Sequence, residues 1–313
     1  MLEALLADAT AGDPISGVKW TRKTIRRLSR ELRRQKIRVG RTTVRRLLQA
    51  HAYVLRVNRK RRTKERDPNR DRQMRYIART RRAVQKAGFP GISVDCKKKE
   101  LVGNFRNPGR TWRRQPLEVW TTDFPSQAEA KAIPYGIYDL TRNEGYVVVG
   151  LSHETAEFVV AAIRTWWLVV GRRAYPGQPC LWIEADDGGA NDSRSWLWKF
   201  HLQALADEFQ LTIRVAHYPP GASKWNPVEH RLFGPISLNW AGQPLQSCET
   251  ILKFIRTTRT ESGLRCRARL DKRPYKTGLK ITADEKARIN LKPRQVLPQW
   301  NYTIEPHAIT RKK

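Results

Sequence analysis

Residues 181–189 read Leu-Trp-Ile-Glu-Ala-Asp-Asp-Gly-Gly, a short apolar run that stops in acid and glycine. Such a run predicts a buried strand opening into a loop. After a long amphipathic stretch comes Tyr218-Pro-Pro-Gly-Ala-Ser-Lys-Trp-Asn-Pro-Val-Glu229-His, a loop that delivers one glutamate onto the start of a helix. Upstream, Gly91-Ile-Ser-Val-Asp95 ends a second apolar strand with another carboxylate. Three carboxylates carried by strand, strand and helix suit two divalent metal ions and phosphodiester chemistry.

Charge narrows the partner. The chain holds 61 Lys and Arg against 29 Asp and Glu, a formal net charge of +32. An excess of this size attracts a polyanion, either nucleic acid or an anionic membrane. No apolar run approaches the roughly 18 residues of a membrane span. The acidic start Met-Leu-Glu-Ala-Leu-Leu-Ala-Asp is unlike a secretory signal. Nucleic acid is therefore the expected partner, with no membrane. Cys96, Cys180, Cys248 and Cys266 form no Cys-x-x-Cys pair and have no His at zinc-finger spacing, so a reduced cytoplasmic setting without structural zinc is expected.

Basic charge is densest in residues 20–66, with 19 Lys and Arg and two acids, Glu31 and Glu65. Ile25, Leu28 and Leu32 keep helical spacing there. Gly40 suits a turn or cap, and a second helix from near Thr42 would bury Val44, Leu47 and Leu48. Tyr53-Val-Leu-Arg-Val alternates like a short strand and could form a wing. The pattern resembles a helix-turn-helix, with a basic helical hairpin that binds RNA or the ribosome as the alternative. On the DNA reading, Arg41, Thr42, Thr43, Arg45 and Arg46 lead the recognition helix, while Arg22, Lys23, Arg26 and Arg27 grip phosphates.

Asn58–Arg72 reads as a polar linker and Gln73–Ala87 as a helix. Strands are expected at 92–96, 132–140, 145–151, 180–185 and 211–216, and 101–105 is expected to pair with the first of these. Helices are expected at 155–167, 195–209 and from about Asn226, with Pro227 at the first helical position and Asn226 as N-cap. Thr282 is the expected cap of a short helix. Strands first and then alternating helices and strands give an α/β layered domain of ribonuclease H-like order. Residues 1–57 are thus assigned to a helix-turn-helix module, 58–87 to a basic linker and helix, 88–267 to the catalytic domain and 268–313 to a basic tail.

Each carboxylate has a plainer reading. Asp95 could be solvated at a strand end, Asp186 could belong to an ordinary Asp-Gly turn, and a first-turn glutamate such as Glu229 commonly just faces the helix macrodipole. Strand alternation leaves Asp187 as a rival of Asp186 and places Glu184 on the same side as a neighbour. Lys224 and Arg231 are candidate phosphate partners, with solvated surface charges as the alternative.

Longer motifs add a resemblance. Asp95-Cys-Lys-Lys-Lys-Glu-Leu-Val-Gly-Asn-Phe, Tyr135-Gly-Ile-Tyr-Asp-Leu, His217-Tyr-Pro-Pro-Gly-Ala-Ser-Lys-Trp-Asn-Pro-Val-Glu-His-Arg-Leu-Phe and Asn239-Trp-Ala-Gly-Gln-Pro-Leu resemble ISAzo-type bacterial insertion-sequence transposases. The catalytic region of that family is called the Rhodopirellula transposase DDE domain. The similarity runs from Gly12-Asp-Pro to Trp300-Asn-Tyr-Thr-Ile.

The resemblance implies a ribonuclease H-like DDE core, with Asp95, Asp186 and Glu229 as the triad; together with the pattern of residues 20–57 this gives an α/β catalytic core preceded by a winged-helix-like basic module. It implies two Mg²⁺ or Mn²⁺ ions per site, Asp95 shared between them, with hydrolysis followed by strand transfer. The implied partners are double-stranded DNA, as terminal inverted repeats and target, and further copies of the chain in a dimer or higher synaptic assembly. The implied location is the bacterial cytoplasm, with the nucleoid.

Three departures stand out. Asp187 replaces the first glycine of a Gly-Gly-Gly pattern, where it could compete for metal, so Asp187→Gly is expected to preserve or raise activity. Thr122 stands where the family tends to have His. The chain also starts inside a segment that follows another helix-turn-helix in relatives, so an N-terminally truncated copy is expected. A catalytically impaired DNA-binding derivative, and a nuclease that cuts without joining, are the alternative functions.

Overall fold

The computed structural model describes residues 10–12, 19–21, 23–51, 53–55, 67–222 and 225–308. The chain divides into two compact units, residues 1–62 and 63–313.

The first unit contains a two-stranded antiparallel pair, β1 (Thr10–Gly12) and β2 (Lys19–Thr21), followed by helices α1 (Ile25–Arg34) and α2 (Arg41–Ala50). Thr24 caps α1, its hydroxyl accepting from the Arg27 amide at 3.2 Å. Leu28, Leu32 and Val44 form a small core, flanked by Ile25, Ile37, Val39, Leu48 and Tyr53. Gly40 is the extended N-cap of α2, one of the two roles the sequence suggests, and Lys36 takes the left-handed conformation (φ 64°) in the turn before it. Two details differ from the sequence reading. Leu47 is 37 % exposed, one helical position off the buried stripe. Tyr53–Leu55 form no strand, because the Tyr53 amide is spent on the Leu48 carbonyl at 2.8 Å, closing α2 instead of starting a wing. Arg56 and Val57 lie outside the described residues.

The second unit is a mixed α/β layered structure around one nine-stranded sheet. Its first helix, α3, spans Arg70–Lys86. Strands β3 (Gly91–Cys96), β5 (Ala130–Asp139) and β6 (Glu144–Gly150) run antiparallel in the order β3-β5-β6. Helix α4 (Ala156–Trp166) then leads through a π-helical stretch, Trp167–Gly171, to β7 (Cys180–Ala185), which lies parallel to β3. Helix α5 (Trp196–Phe209) leads to β8 (Thr212–His217), parallel to β7. Five strands therefore stand in the order β6-β5-β3-β7-β8, three antiparallel and then two parallel.

Both faces are covered, so these strands are near-continuous apolar runs. One face packs Ile92, Val94, Ile183 and Val215 against Phe158, Ile163, Trp166 and Trp198. The other packs Val147, Val149 and Trp182 against Ile77, Val228, Phe233 and Ile251. That second layer contains α3, a π-helical turn Val228–Phe233 continuing into α6 (Gly234–Asn239), and α7 (Cys248–Thr257).

Two expectations fail for topological reasons. Strand β4 (Glu100–Val102) pairs with β5, not β3, since both edges of β3 are already taken by β5 and β7. The segment expected to be a basic tail joins the sheet. Strand β9 (Arg265–Asp271) runs parallel to β6, and β10 (Leu291–Pro293) and β11 (Asn301–Ile304) extend the opposite edge, β11 pairing with β8. In β9 the outward positions are Arg265, Arg267 and Arg269 and the inward ones Cys266 and Ala268, so its period-two pattern is easily read as mere basic charge. The short helix α8 (Ala283–Ala287) does carry the expected cap, a reciprocal Thr282–Glu285 capping box.

Candidate active site

The register of two parallel strands places the first pair of acids. Val94 stands beside Ala185 in the β3–β7 ladder, so the next residues, Asp95 and Asp186, leave adjacent strands side by side. Neighbouring strands lie about 4.8 Å apart. Ser93 and Asp95 share a face by strand alternation, and Ser93 meets the turn that carries Glu229. The Ser93 hydroxyl donates to Asn226 Oδ1, and the same oxygen accepts from the Val228 amide at 2.9 Å. Asn226 Nδ2 donates to the Val94 carbonyl at 3.3 Å. Asn226 therefore does not cap the helix with its side chain, as the sequence suggests, but ties the turn to β3.

Close approach of that turn depends on glycine. Gly136 pairs with Asp95 across the β3–β5 ladder, and a methyl group there would overlap the Phe233 ring and press on Val228. The turn itself is π-helical, a form frequent at functional sites, and Pro235 just beyond it offers no amide hydrogen.

The three carboxylates feel one another. Burial, then the charges of Asp186 and Glu229, holds Asp95 well above the usual carboxylate range, even though the Cys96 amide donates to its Oδ1 at 2.7 Å. Burial, then Asp187 and Glu229, raises Asp186 to about 6. Asp186 Oδ1 is buried with no hydrogen-bond partner among the described residues. Among those residues no three His, Cys, Asp or Glu side chains already stand close enough to enclose a metal ion. The donor set nevertheless fits a hard divalent cation: its donors are all oxygen, its charges are mutually repelling, and one buried oxygen lacks a partner. An open cleft of about 560 Å³ exposes Asp95 and Asp186 beside Lys97, Lys98, Lys99 and Lys131; Glu229 is not in its wall.

Two acids read as site neighbours are engaged elsewhere. Glu184 is fully buried on the α3 side of the sheet, where Arg81 Nε donates to it at 2.8 Å, the Tyr218 hydroxyl at 2.7 Å and the Trp182 indole at 3.1 Å. Strand β7 ends at Ala185, so the parity that joins Glu184 to Asp186 in sequence does not survive into the loop. Asp187 accepts from the Ser193 amide at 2.9 Å and from the Trp300 indole at 3.0 Å. Both oxygens accept a hydrogen bond, so Asp187 anchors the loop.

The basic candidates divide as well. Arg41, Thr42, Thr43, Arg45 and Arg46 are all exposed on α2. Lys23 and Arg27 both pair with Glu31, at 2.8 and 2.9 Å, while Arg26 is exposed. Arg231 is exposed on the turn two residues beyond Glu229, and Arg22 and Lys224 lie outside the described residues. Thr122 is exposed, its hydroxyl donating to Gln127 Oε1 at 3.4 Å.

Sequence reasoning missed Glu154. It lies in the cleft wall, pairs with Lys99 at 3.3 Å and adds to the negative field on Asp186. Gly189, left-handed at φ 59°, lets the loop pass it, since a methyl there would come within 2.9 Å of Glu154 Oε1. The only local signal was an acid just before the helix cap Thr155.

A family model described as the Rhodopirellula transposase DDE domain matches residues 1–306. No curated protein matches the chain. Among solved structures the chain is similar to the Mos1 transposase paired-end complex with left transposon end, at 16 % identity, covering 81 % of this chain and 68 % of that one, with a TM-score of 0.42. It is also similar to the Mos1 Strand Transfer Complex, at 14 % identity, 81 % and 67 % coverage and a TM-score of 0.44.

Proposed function

The chain belongs to the Rhodopirellula transposase DDE domain family, and on that premise we propose that it cuts and rejoins DNA strands at the ends of an insertion sequence, in a metal-dependent reaction on a ribonuclease H-like core. The observation that carries this reading is the adjacency of Asp95 and Asp186 at the ends of parallel strands, with Glu229 in electrostatic reach of both.

Asp95, Asp186 and Glu229 would hold the cations, Mg²⁺ or Mn²⁺. When bound, such ions activate the attacking oxygen and stabilise the leaving one. The protein contributes the rest. The Ser93–Asn226 link and the bare surface of Gly136 set Glu229 against the strand ends. Cleft lysines 97–99 and 131 attract and orient the phosphodiester. Water is the nucleophile in the cutting step, and the freed 3′-hydroxyl is the nucleophile in the joining step, each displacing an alkoxide from phosphorus.

Helices α1 and α2 act in this reading as the DNA-reading module, with Arg45 and Arg46 toward base edges and Arg26 on phosphate. The working form is a dimer or larger assembly in the cytoplasm. Among the described residues no helix is long and apolar enough to cross a membrane.

A labelled terminal-repeat duplex incubated with Mg²⁺ or Mn²⁺ and target plasmid tests the proposal. Strand-transfer products are expected, and Asp95→Ala, Asp186→Ala or Glu229→Ala should abolish them while duplex affinity stays nearly intact. Binding without cleavage would instead indicate an impaired derivative, and cleavage without joining a nuclease. Cleavage surviving Glu229→Ala would remove that residue from the site.

A further inference from the structure

We propose that the C-terminal strand positions the second acid: Trp198, Tyr302 and His217 form a one-way chain of buried hydrogen bonds that ends on the Asp186 carbonyl and fixes where its carboxylate points. The role given to Asp186 rests on the functional reading above; the direction of the chain does not.

The direction follows from its two ends. The Trp198 indole can only donate, and its Nε1 lies 2.8 Å from the Tyr302 oxygen. The Asp186 carbonyl can only accept, and lies 3.2 Å from His217 Nδ1. Between them the Tyr302 oxygen is 2.9 Å from His217 Nε2. If the hydrogen sat on Nε2, the tyrosine oxygen would face two donors, and the Nδ1 lone pair would face the carbonyl lone pairs. Trp198 and His217 are fully buried and Tyr302 nearly so, leaving no water to relieve that clash. The hydrogen therefore belongs on Nδ1, and the tyrosine hydroxyl donates to Nε2.

The residue just before the C-terminal strand, Trp300, grips the neighbouring acid. The His217 amide donates to the Trp300 carbonyl at 2.9 Å, and the Trp300 indole donates to Asp187 Oδ2 at 3.0 Å. The 186–187 peptide is thus held on its carbonyl through His217 and Tyr302, and on the following side chain by Trp300. The Asp186 carboxylate, one of whose buried oxygens has no hydrogen-bond partner among the described residues, hangs from a backbone fixed on both sides. His217, Tyr302 and Trp300 are positioning residues on this view, and none of them touches the reacting atoms.

Two measurements on the full chain decide it. Long-range ¹H–¹⁵N correlation, with the His217 signals identified by their loss in His217→Asn, should show Nδ1 protonated; an Nε2-protonated ring overturns the chain. Mn²⁺ binding, followed by electron paramagnetic resonance without DNA, should weaken about tenfold in Tyr302→Phe, the size typical of removing a partner behind a metal ligand. His217→Asn keeps a donor near the Nδ1 position and should bind Mn²⁺ better than His217→Leu. Equal Mn²⁺ affinity in wild type, Tyr302→Phe and His217→Leu overturns the positioning role, even if their unfolding temperatures differ. Mn²⁺ binding in the wild type that Asp95→Ala fails to remove overturns the functional reading instead, and the role of the chain with it.

Discussion

Asp186 and Asp187 are neighbours of one chemical type, yet the structure gives them different surroundings. Asp187 satisfies an amide and an indole, whereas Asp186 keeps a buried oxygen without a partner among the described residues. Asp187→Gly, harmless on sequence grounds, is now expected to strand both donors at a cost of about 1–3 kcal/mol. Its unfolding temperature should fall by roughly 2–4 °C per kcal/mol for a unit of this size; an unchanged melting curve would show that the anchor is dispensable. Asp95 yields a prediction with a definite sign. Its carboxyl is raised by burial and by the charges of Asp186 and Glu229, so the folded state holds its proton more tightly than the unfolded chain. That contribution to stability is complete below about pH 4, the ordinary aspartate range, and is lost as pH climbs toward the raised value. In metal-free protein Asp95→Asn should therefore melt above the wild type at about pH 8 and near it at about pH 4. Excess Mg²⁺ should narrow the difference by stabilising the wild type alone. Melting curves in EDTA and in Mg²⁺ at both pH values check this.

At the scale of elements, the turn carrying Glu229 and the strand carrying Asp95 behave as one part. Ser93→Ala removes the oxygen shared by Asn226 and Val228 and leaves buried polar groups unmatched, at about 1–3 kcal/mol. Cleavage should fall further than that loss of stability accounts for, because Glu229 shifts; cleavage at the wild-type rate in folded Ser93→Ala would separate the two. The basic module makes a second element-scale test. Arg45→Ala and Arg46→Ala on α2 should reduce preference for terminal repeats, a bidentate arginine–guanine contact giving about 1–3 kcal/mol of discrimination. Arg26→Ala should weaken all duplexes alike and flatten the salt dependence. Lys23→Ala and Arg27→Ala should do less, since both cations already pair with Glu31. A competition titration of terminal-repeat against scrambled duplex at fixed salt distinguishes these patterns.

For the whole molecule, the C-terminal residues complete the sheet. Asn301, Tyr302 and Ile304 are buried against β8, and Asn301 exchanges side-chain hydrogen bonds with Gln73 on α3. Ending the chain at residue 290 should therefore yield insoluble or protease-sensitive protein and not a trimmed enzyme; a soluble, cooperatively melting product would contradict this. Much of the architecture is legible from local pattern alone. Strands β5 to β8 and helices α4 and α5 fall within a few residues of where periodicity, caps and glycines place them, because hydrophobic spacing and capping act over a few residues. Asp95, Asp186 and Glu229 can be singled out for the same reason, each ending an apolar run or opening a helix. What such patterns lack is the partner. That β4 pairs with β5, that Glu184 turns to Arg81, that Asn226 reaches Ser93 and that Trp300 holds Asp187 all depend on contacts between residues far apart in sequence. The sequence by itself determined the order of strands β3 and β5 to β8 and of helices α4 and α5, the excess of positive charge and the types of side chain at the candidate site. The tertiary structure decided which acids face one another, because a strand end has no neighbour until the ladder beside it has chosen its register.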